Sequence, residues 1–467
     1  MTNITTKAFW ITTGNAGSRF LNFLATIYLA RVLGTANFGL VSIGLSVLGY
    51  AVWLSDMGLI TIGTRETAKP VDKREFSPSA LFWIRSGAGI LVFLVGLLLV
   101  ILLPIDEGRQ YVIGLFLISV LPQSLFLDWY YTGLQKYREV ALGKIIKSAL
   151  YVLLIYGAIH MSNQVDLVPL FYLMGSIAAT VFLFVQLKKP GTIFRFNISG
   201  STIYAALRKS LTIGLGSSFN QVVQLLPPII IGAIISASGA GIYTAAIKVV
   251  LVGTLLDHVF VNLFLPMFTR YWSEKPGQAP VIISRIFRIM LLLGILVSAL
   301  FMTGAEWIIP LLFGNGYTES IPLLHILSWF LAATFANSVF AYGLLAINQD
   351  RAFFRSMLRG GIFSAILITG LTFLGDPYWT ALGVLGSEIF IMLSNFIEFK
   401  SNLDFKILST SLAGLASIMA SIAIYIFVDF SIILLMPVSI ISILVVYFLF
   451  GGINYADIQW MIQKAKS

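Results

Sequence analysis

The stretch that decides the fold is NAGSRFLNFLAT, residues 15–26. Its polar residues recur at intervals of three or four, which places them on one face of a helix whose other faces are apolar. That face carries Asn15, Ser18, Arg19, Asn22 and Thr26. The surrounding apolar run, 9–31, is long enough to cross a bilayer, so Arg19 would lie near the middle of the membrane. A cation at that depth costs roughly 2.5–3.5 kcal/mol on insertion scales, and we therefore expect Arg19 to face protein or water.

The whole chain has the composition of a polytopic helical membrane protein. It has 467 residues, of which 58% are hydrophobic and only 11% are charged, with a mean hydropathy of +0.93. Runs of about twenty apolar residues favour membrane helices over the alternating strands of about ten residues that form β-barrels. The first run is too long for a cleavable signal peptide and carries an arginine, so we expect it to remain as a membrane helix. The absence of cysteine excludes disulfides, thiolate metal sites and cysteine nucleophiles.

Apolar runs separated by charges or turn signals predict fourteen membrane helices. The predicted spans are 9–31, 38–61, 80–103, 110–131, 142–160, 166–187, 209–235, 239–268, 286–304, 320–346, 358–375, 378–399, 406–428 and 430–450. We therefore predict an all-α membrane protein with two pseudo-symmetric six-helix lobes and a C-terminal helix pair. The predicted domains are an N-lobe over 1–190, a cytoplasmic linker over 191–208, a C-lobe over 209–400, and helices 13 and 14 with a cytoplasmic tail over 401–467.

The distribution of basic residues predicts the orientation in the membrane. If the N-terminus is cytoplasmic, nearly all of the 30 lysines and arginines fall in cytoplasmic loops or at the cytoplasmic ends of spans, which is the positive-inside pattern. Arg31 and Arg109 fall on the outer side, and Arg19 and Lys248 remain inside the membrane. Both termini are then cytoplasmic. The net charge of +10 follows from this topology and favours anionic lipid headgroups rather than nucleic acid as partners.

The polar face of the first helix recurs 202 positions later. The aligned pairs are Asn15 with Ser217, Ser18 with Asn220, Arg19 with Gln221, and Asn22 with Gln224. The start of the next helix also aligns, 36–40 with 238–242, and on that helix Ser46 aligns with Lys248. An offset of six helices keeps the orientation, so this pattern indicates a parallel repeat about an axis along the membrane normal, as in several transporter folds. Chance similarity between apolar helices is the alternative.

Several longer segments resemble the Wzx-type O-antigen/polysaccharide flippases. They are RVLGTANFGLVSIGLSV at 31–47, DMGLITIGTRETA at 56–68, DWYYTGLQKYREVALGKI at 128–145, GAGIYTAAIKVV at 239–250 and IIPLLFGNGYTESIPLLHIL at 308–327. The resemblance covers most of the first ten predicted helices and fades over the last four. It implies membership of the multidrug/oligosaccharidyl-lipid/polysaccharide exporter superfamily, with two six-helix lobes around a central cavity that opens alternately to each side of the membrane.

The resemblance also implies a substrate, partners and a location. The substrate would be an undecaprenyl-diphosphate-linked oligosaccharide, flipped from the cytoplasmic to the periplasmic leaflet of a bacterial inner membrane. The implied partners are this polyprenyl-diphosphate-linked oligosaccharide, membrane lipids, a polysaccharide polymerase and a chain-length regulator, and we expect a monomer. Many relatives have twelve helices, and the extra pair here resembles the arrangement in lipid II flippases, where it helps to form a groove for the lipid tail. Lipid II therefore remains an alternative substrate.

Two membrane cations are the first candidates for binding a diphosphate headgroup. Arg19 and Lys248 belong to different lobes and, in a two-lobed carrier, can both face the cavity. Arg19 has the alternative of a structural ion pair with Asp56 or Glu388, and Lys248 has that of reaching outward to the membrane surface. The other candidate substrate-binding residues are polar, and their alternative is hydrogen bonding between helices; they are Asn15, Ser18, Asn22, Asn220, Gln221 and Gln224.

A second set of residues suggests coupling to an ion. Membrane carboxylates and histidines can carry protons or bind sodium, and the candidates are Glu388, Asp56, Asp257, His258 and His325. Glu388 lies in the middle of its span, whereas Asp56 lies toward a cytoplasmic end where loop arginines can pair with it. Pro227 and Pro228 interrupt the seventh predicted helix and form either a hinge for the C-lobe or a static kink.

Other functions have less support in the sequence. We expect no enzymatic activity, no cofactor and no metal site, because the chain has no phosphate-cradling glycine loop, no metal-ligand spacing and no paired carboxylates in an outer loop. A membrane-embedded polymerase or glycosyltransferase would need large catalytic outer loops. A drug or cation antiporter of the same fold would need an acidic cavity, whereas the two deepest charged residues are basic. A scaffold or channel would need neither a repeat nor a bend.

Overall fold

The computed structural model describes residues 4–102, 104–188, 191–196, 199–400, 407–428, 432–455, 457 and 459. The regular structure of these residues consists of helices, and the chain divides into two compact units, Met1–Gly241 and Ile242–Ser467. The helices of the first unit are α1 Ile4–Asp56, α2 Leu59–Ala68, α3 Pro78–Leu102, α4 Glu107–Ile118, α5 Val120–Ser124, α6 Asp128–Gly133, α7 Tyr137–Ala158, α8 Leu167–Val185, α9 Gly191–Phe194 and α10 Gly200–Ile234.

The remaining helices begin with α11, whose first turn still belongs to the first unit. They are α11 Ala237–Glu274, α12 Ala279–Thr303, α13 Ala305–Phe313, α14 Ser320–Ala346, α15 Asp350–Thr372, α16 Pro377–Lys400, α17 Leu408–Phe427 and α18 Ile432–Leu449. Eleven helices of the described residues are long and apolar enough to cross a membrane. The predicted all-α, multi-span membrane class is therefore confirmed.

Helix α1 is two helices joined at a kink. A straight helix of its 53 residues would be about 80 Å long, more than twice the thickness of a hydrocarbon core. At Gly34 the backbone leaves the helical region, with φ 72° and ψ 174°, a conformation that glycine adopts without strain. The predicted spans 9–31 and 38–61 lie on either side of this kink.

Two predicted spans coincide with shorter apolar helices. Gln221–Ile234 is the apolar end of α10, at the predicted span 209–235, and Leu434–Leu449 lies in α18, at the predicted span 430–450. The eleven long helices count the kinked α1 once, where two spans are predicted, and leave out these two shorter segments. These three differences account for the gap between eleven and fourteen. The number fourteen stays a prediction.

The fourth predicted span, 110–131, coincides with the membrane-length segment Glu107–Gly133, which consists of α4, α5 and α6 with short breaks between them. Breaks leave backbone carbonyl groups without helical partners, and lipid cannot supply donors. Arg85 of α3 donates to carbonyl oxygens of this segment, that of Phe126 at 2.7 Å and that of Gln123 at 3.0 Å; the Gln123 carbonyl also accepts the backbone N–H of Phe126 at 3.3 Å. Arg85 is buried, with 4% of its surface exposed, so it stabilises the broken segment from inside the first unit.

The two stretches that the repeat aligns contact each other. Gly39 of α1 lies against the carbonyl oxygen of Ala237, and Gly241 of α11 lies against the carbonyl oxygen of Thr35, so that a Cβ atom at either glycine would overlap the facing oxygen. The contact is reciprocal, because positions 39 and 241, like 35 and 237, are 202 residues apart. The Ser238 hydroxyl donates to Thr35 Oγ1 across the same contact, at 2.8 Å. This geometry supports the repeat against chance similarity.

The compact units divide the chain later than the predicted lobes do. The predicted linker 191–208 contains α9 and the first turns of α10. Helix α10 packs against α1, α2 and α3, and these contacts group it with the first unit. The unit boundary therefore follows Gly241, whereas the boundaries of the predicted N-lobe and C-lobe stay predictions.

The second unit is built around α12, α14, α15 and α16. Aromatic rings from three of these helices meet in its core, with centroids 5.1 Å apart for Phe287 and Phe340 and 6.3 Å apart for Phe340 and Phe399. The C-terminal pair, α17 and α18, packs on α12. The Tyr447 hydroxyl of α18 donates to the carbonyl oxygen of Arg288 on α12 at 2.9 Å, so a polar bond supplements the apolar packing of the pair.

Candidate functional site

The polar face of α1 is accessible in the first unit. Asn15, Arg19 and Asn22 are exposed and Ser18 is half-buried. The Ser18 hydroxyl donates to the carbonyl oxygen of Asn15 at 3.1 Å, a bond within the helix. Arg19 makes no hydrogen bond or ion pair with any residue that the structure describes. The first unit thus presents an unpaired guanidinium on an accessible polar face.

A second cation lies beside this face. Lys144 of α7 donates from its Nζ to Asn15 Oδ1 at 2.9 Å. Asn15 precedes Arg19 by four residues, about one helical turn, so Lys144 and Arg19 flank the same face. The sequence places Lys144 with the cytoplasmic residues, and only the packing of α7 on α1 reveals its position. No periodicity within either helix indicates this contact.

The residues that the repeat aligns with this face lie on α10. Gln221 is half-buried and Gln224 is exposed, while the side chain of Asn220 lies outside the described residues. Pro227 and Pro228 are buried inside α10, which continues as a helix to Ile234. The two prolines are therefore part of the helix rather than its end, and their role as a hinge stays a prediction.

Lys248 lies on α11 in the second unit. Its side chain is half-buried, and it makes no hydrogen bond or ion pair with the residues that the structure describes. Each unit therefore contains one of the two predicted membrane cations, and neither cation is neutralised by a described carboxylate of its own unit. Asp56 and Glu388, the partners suggested for Arg19, contact other groups.

Glu388 belongs to a buried polar cluster in the second unit. Its carboxylate accepts a hydrogen bond from the Asn337 side-chain amide at 3.1 Å, and Asn337 in turn accepts one from Asn395 Nδ2 at 2.8 Å. Asn395 is fully buried, and its Oδ1 has no hydrogen-bond partner among the described residues. Helices α14 and α16 thus enclose several oxygen atoms in an otherwise apolar interior.

Asp257 of α11 extends this cluster. One carboxylate oxygen accepts a hydrogen bond from the Ser338 hydroxyl at 2.8 Å, and the other, Oδ1, is buried without a partner among the described residues. Ser338 follows Asn337 on α14, so consecutive residues of one helix hold Asp257 and Glu388, and Asp257 lies within electrostatic range of Glu388. A cavity of about 30 Å³ is lined by Ser338 and otherwise mainly by apolar side chains. We call Asp257, Asn337, Ser338, Glu388 and Asn395 the carboxylate cluster.

The remaining coupling candidates have other surroundings. The Asp56 carboxylate accepts a hydrogen bond from the backbone N–H of Ile60, at the start of α2, at 2.9 Å. The same carboxylate lies 3.7 Å from the Arg85 guanidinium. His325 lies against the Tyr425 ring of α17, with its Nε2 3.2 Å from the Tyr425 hydroxyl. His258 is exposed on α11. The structure brings Glu388 and Asp257 together, but it places Asp56 and His325 in separate contacts.

Outside the membrane spans, Glu66 organises the loop that follows α2. Its carboxylate accepts hydrogen bonds from Lys69 Nζ at 2.6 Å and from the backbone N–H of Glu75 at 2.7 Å. Burial by itself raises the pKa of Glu66, but these hydrogen bonds outweigh it and hold the pKa below its usual value. Glu66 is therefore a structural carboxylate of this loop.

The sequence analysis did not identify the two asparagines of the carboxylate cluster or the arginine that lies beside Asp56. Asn337 and Asn395 are polar residues inside apolar runs, ATFANSVF at 333–340 and MLSNF at 392–396, and that interruption was the available signal. For the buried Arg85 the signal was weaker, because its position near the start of α3 resembles that of a loop residue.

The comparisons with known proteins agree with this architecture. The family described as "Polysaccharide biosynthesis protein" matches residues 4–272, more than half of the chain. The chain belongs to this family. A "Putative O-antigen transporter" of Escherichia coli (strain K12) is 20% identical to this family member over 383 residues, which are 80% of this chain and 92% of that protein.

Solved structures share the fold of this polysaccharide biosynthesis protein. The lipid II flippase MurJ in an inward closed conformation superimposes with a TM-score of 0.71 at 13% identity, covering 96% of this chain and 99% of that one. An inward-facing multidrug resistance MATE family transporter of the MOP superfamily superimposes with a TM-score of 0.65 at 14% identity, covering 82% of this chain and 94% of that one. Identities this low show the fold, which is that of these membrane transporters.

Proposed function

We propose that this protein is a flippase that moves an undecaprenyl-diphosphate-linked oligosaccharide, such as an O-antigen repeat unit, from the cytoplasmic to the periplasmic leaflet by alternating access. Membership of a polysaccharide biosynthesis family and similarity to an O-antigen transporter support this class of substrate. The fold, shared with a lipid II flippase and a multidrug transporter, supports transport rather than sugar chemistry.

The observation that carries the proposal is Arg19, which lies on an accessible polar face without a hydrogen bond or ion pair to any described residue, with Lys144 beside that face. A diphosphate needs cations and hydrogen-bond donors, and a guanidinium can bind phosphate oxygens in bidentate fashion. We propose that Arg19 and Lys144 bind the diphosphate from the first unit and that Lys248 contributes a cation from the second. The neighbouring amides and hydroxyl would bind phosphate or sugar hydroxyls; they are Asn15, Ser18, Asn22, Asn220, Gln221 and Gln224.

We further propose that the carboxylate cluster couples transport to a proton or sodium gradient. Carboxylate and amide oxygens suit a hard cation, and the unpartnered oxygens of Asp257 and Asn395 are buried acceptors. Within the predicted set, Glu388 and Asp257 are thus the preferred coupling residues, because Asp56 is engaged by the start of α2 and by Arg85.

Deletion and complementation test the proposal. A strain that lacks the protein should accumulate diphosphate-linked oligosaccharide on the cytoplasmic leaflet and lose surface polysaccharide, and plasmid expression should restore it. Normal polymer export without the protein, in a strain with no other flippase that compensates, would overturn the proposal. Accumulation of lipid II with unchanged surface polysaccharide would instead favour lipid II, the substrate of the structural neighbour MurJ.

A further inference from the structure

Helices α15 and α16 each expose a stripe of apolar side chains in the second unit. The two helices pack along each other, and on α15 Ile362 and Ile366 are 53% and 68% exposed. On α16 Leu393 and Ile397 are 46% and 64% exposed. Residues four apart lie on the same side of a helix, so each pair forms a stripe along its own helix. In a membrane-spanning helix pair, such stripes contact lipid chains.

Basic residues lie at one end of this face. Arg351, Arg355 and Arg359 follow one another at intervals of four near the start of α15, and Ile362 and Ile366 continue the same side of the helix. Lys400 ends the neighbouring α16. The side chains of Arg355 and Arg359 are 60% and 56% exposed. Four cations thus lie at the membrane-surface end of a lipid-facing surface.

A single carboxylate orients two of these arginines. Glu398 of α16 accepts Arg355 Nη2 at 3.0 Å and Arg359 Nη1 at 3.1 Å, and its side chain is 11% exposed. A guanidinium has five N–H donors, so each arginine keeps donors for a further anion while Glu398 restrains its position. With Asp350 at the start of α15, the described residues at this end comprise four cations and two carboxylates, a surplus of positive charge.

We propose that this surface is a binding site for one anionic phospholipid, which we call the α15–α16 lipid site. The phosphate binds Arg355 and Arg359, and the acyl chains lie along Ile362 and Ile366 of α15 and Leu393 and Ile397 of α16. Basic pockets between membrane helices attract anionic headgroups, and each basic residue near the surface contributes to binding. A zwitterionic lipid carries the same phosphate together with an ammonium group, which the surplus positive charge disfavours. The site does not depend on the transported substrate.

Native mass spectrometry of the full-length protein, titrated with phosphatidylglycerol or phosphatidylcholine, tests this site. The variant Arg355→Gln/Arg359→Gln/Glu398→Gln removes both arginines without leaving the Glu398 carboxylate unpaired. At about fivefold per basic residue, we expect its affinity for phosphatidylglycerol to fall about 25-fold. The matched control is Arg270→Gln/Lys275→Gln, which removes two exposed cations at the end of α11 and should leave phosphatidylglycerol binding unchanged.

Three results would overturn the site. The first is that the triple variant, at wild-type thermal stability, binds phosphatidylglycerol as tightly as the wild type. The second is that the Arg270/Lys275 control loses as much phosphatidylglycerol affinity as the triple variant, which would indicate that net charge rather than this site determines binding. The third is displacement of the lipid by glycerol 3-phosphate at equal concentration, because a site that holds acyl chains must prefer the intact lipid. Preference for phosphatidylglycerol over phosphatidylcholine in the wild type, lost only in the triple variant, would support it.

Discussion

Gly39 and Gly241 make reciprocal contacts with each other's helix. Gly39 lies against the carbonyl oxygen of Ala237, four residues before Gly241, and Gly241 lies against that of Thr35, four residues before Gly39. The 202-residue offset between them is the offset of the sequence repeat. The two helix starts that the predicted repeat aligns therefore pack backbone to backbone at this point, and no side chain larger than hydrogen fits between them.

Substituting either glycine should separate these helix starts. We expect Gly39→Ala and Gly241→Ala each to destabilise the protein by about 1–3 kcal/mol, because the added methyl overlaps a carbonyl oxygen. The double variant should cost less than the sum, since both substitutions open one contact. Thermal unfolding in detergent measures the effect. Gly87→Ala, which adds a methyl group where no atom lies within 4 Å, is the control and should not destabilise.

A disulfide across this contact tests whether it opens during transport. Thr35 Oγ1 and Ser238 Oγ are 2.8 Å apart, so cysteines at both positions can bridge, and the chain has no native cysteine that would interfere. If alternating access separates these helix starts, Thr35→Cys/Ser238→Cys should lose transport on oxidation and recover it on reduction. Full transport by the oxidised protein, with cross-linking verified by mass spectrometry, would contradict this opening.

Arg19 should be essential for its charge. We expect Arg19→Ala to abolish polysaccharide export and Arg19→Lys to preserve part of it, because lysine keeps the cation but loses bidentate phosphate binding. Complementation at equal expression measures export. Arg65→Ala, at an exposed arginine of α2, serves as the control. Wild-type export in both Arg19 variants would remove Arg19 from the substrate site.

The carboxylate cluster should determine the ion dependence. Glu388→Gln can still accept the hydrogen bond from Asn337, so we expect a folded protein whose transport no longer responds to an imposed proton or sodium gradient. Asp257→Asn should behave in the same way. Substrate flipping in proteoliposomes, with each gradient applied separately, gives the response, and Glu319→Gln at an exposed glutamate is the control. An unchanged gradient response in both cluster variants would exclude coupling there.

The hinge proposal concerns Pro227 and Pro228. If α10 bends at these prolines during transport, Pro227→Ala/Pro228→Ala should slow export while raising thermal stability slightly, because the restored N–H groups complete the helix. Pro437→Ala, at a proline inside α18, is the matched control. Full export by the double variant would leave the prolines as a static feature of the helix.

The sequence predicted the membrane helices well, because apolar runs of about twenty residues carry a strong signal on their own. It did not predict the breaks inside the span 110–131, because the side chain that stabilises them, Arg85, lies about forty residues earlier in the chain. It predicted two spans, 9–31 and 38–61, and α1 consists of two helices joined at Gly34. The sequence did not show that a kink rather than a loop joins them, since a turn at a single glycine and a longer loop have similar sequence patterns.

The candidate sites were predictable only in part. Charge inside an apolar run pointed directly to Arg19, Lys248 and Glu388, because each is costly in a membrane. The partners of these residues were not predictable. Lys144 contacts Asn15 only because α7 packs on α1, and Asp257 and Glu388 are connected through the neighbouring residues Ser338 and Asn337 of α14. Such pairings depend on the rotation of each helix about its axis, which one sequence does not specify.

The attachment of α17 and α18 to α12 has a consequence for biogenesis. Helix α12 is synthesised more than one hundred residues before α17, so it enters the membrane with its partner surface covered by lipid. The last helices must then displace that lipid by moving laterally, and the bond from Tyr447 to the Arg288 carbonyl forms only after this step. Maturation of the second unit therefore includes the docking of α17 and α18, and a chain that stops before α18 would leave part of the α12 surface covered by lipid.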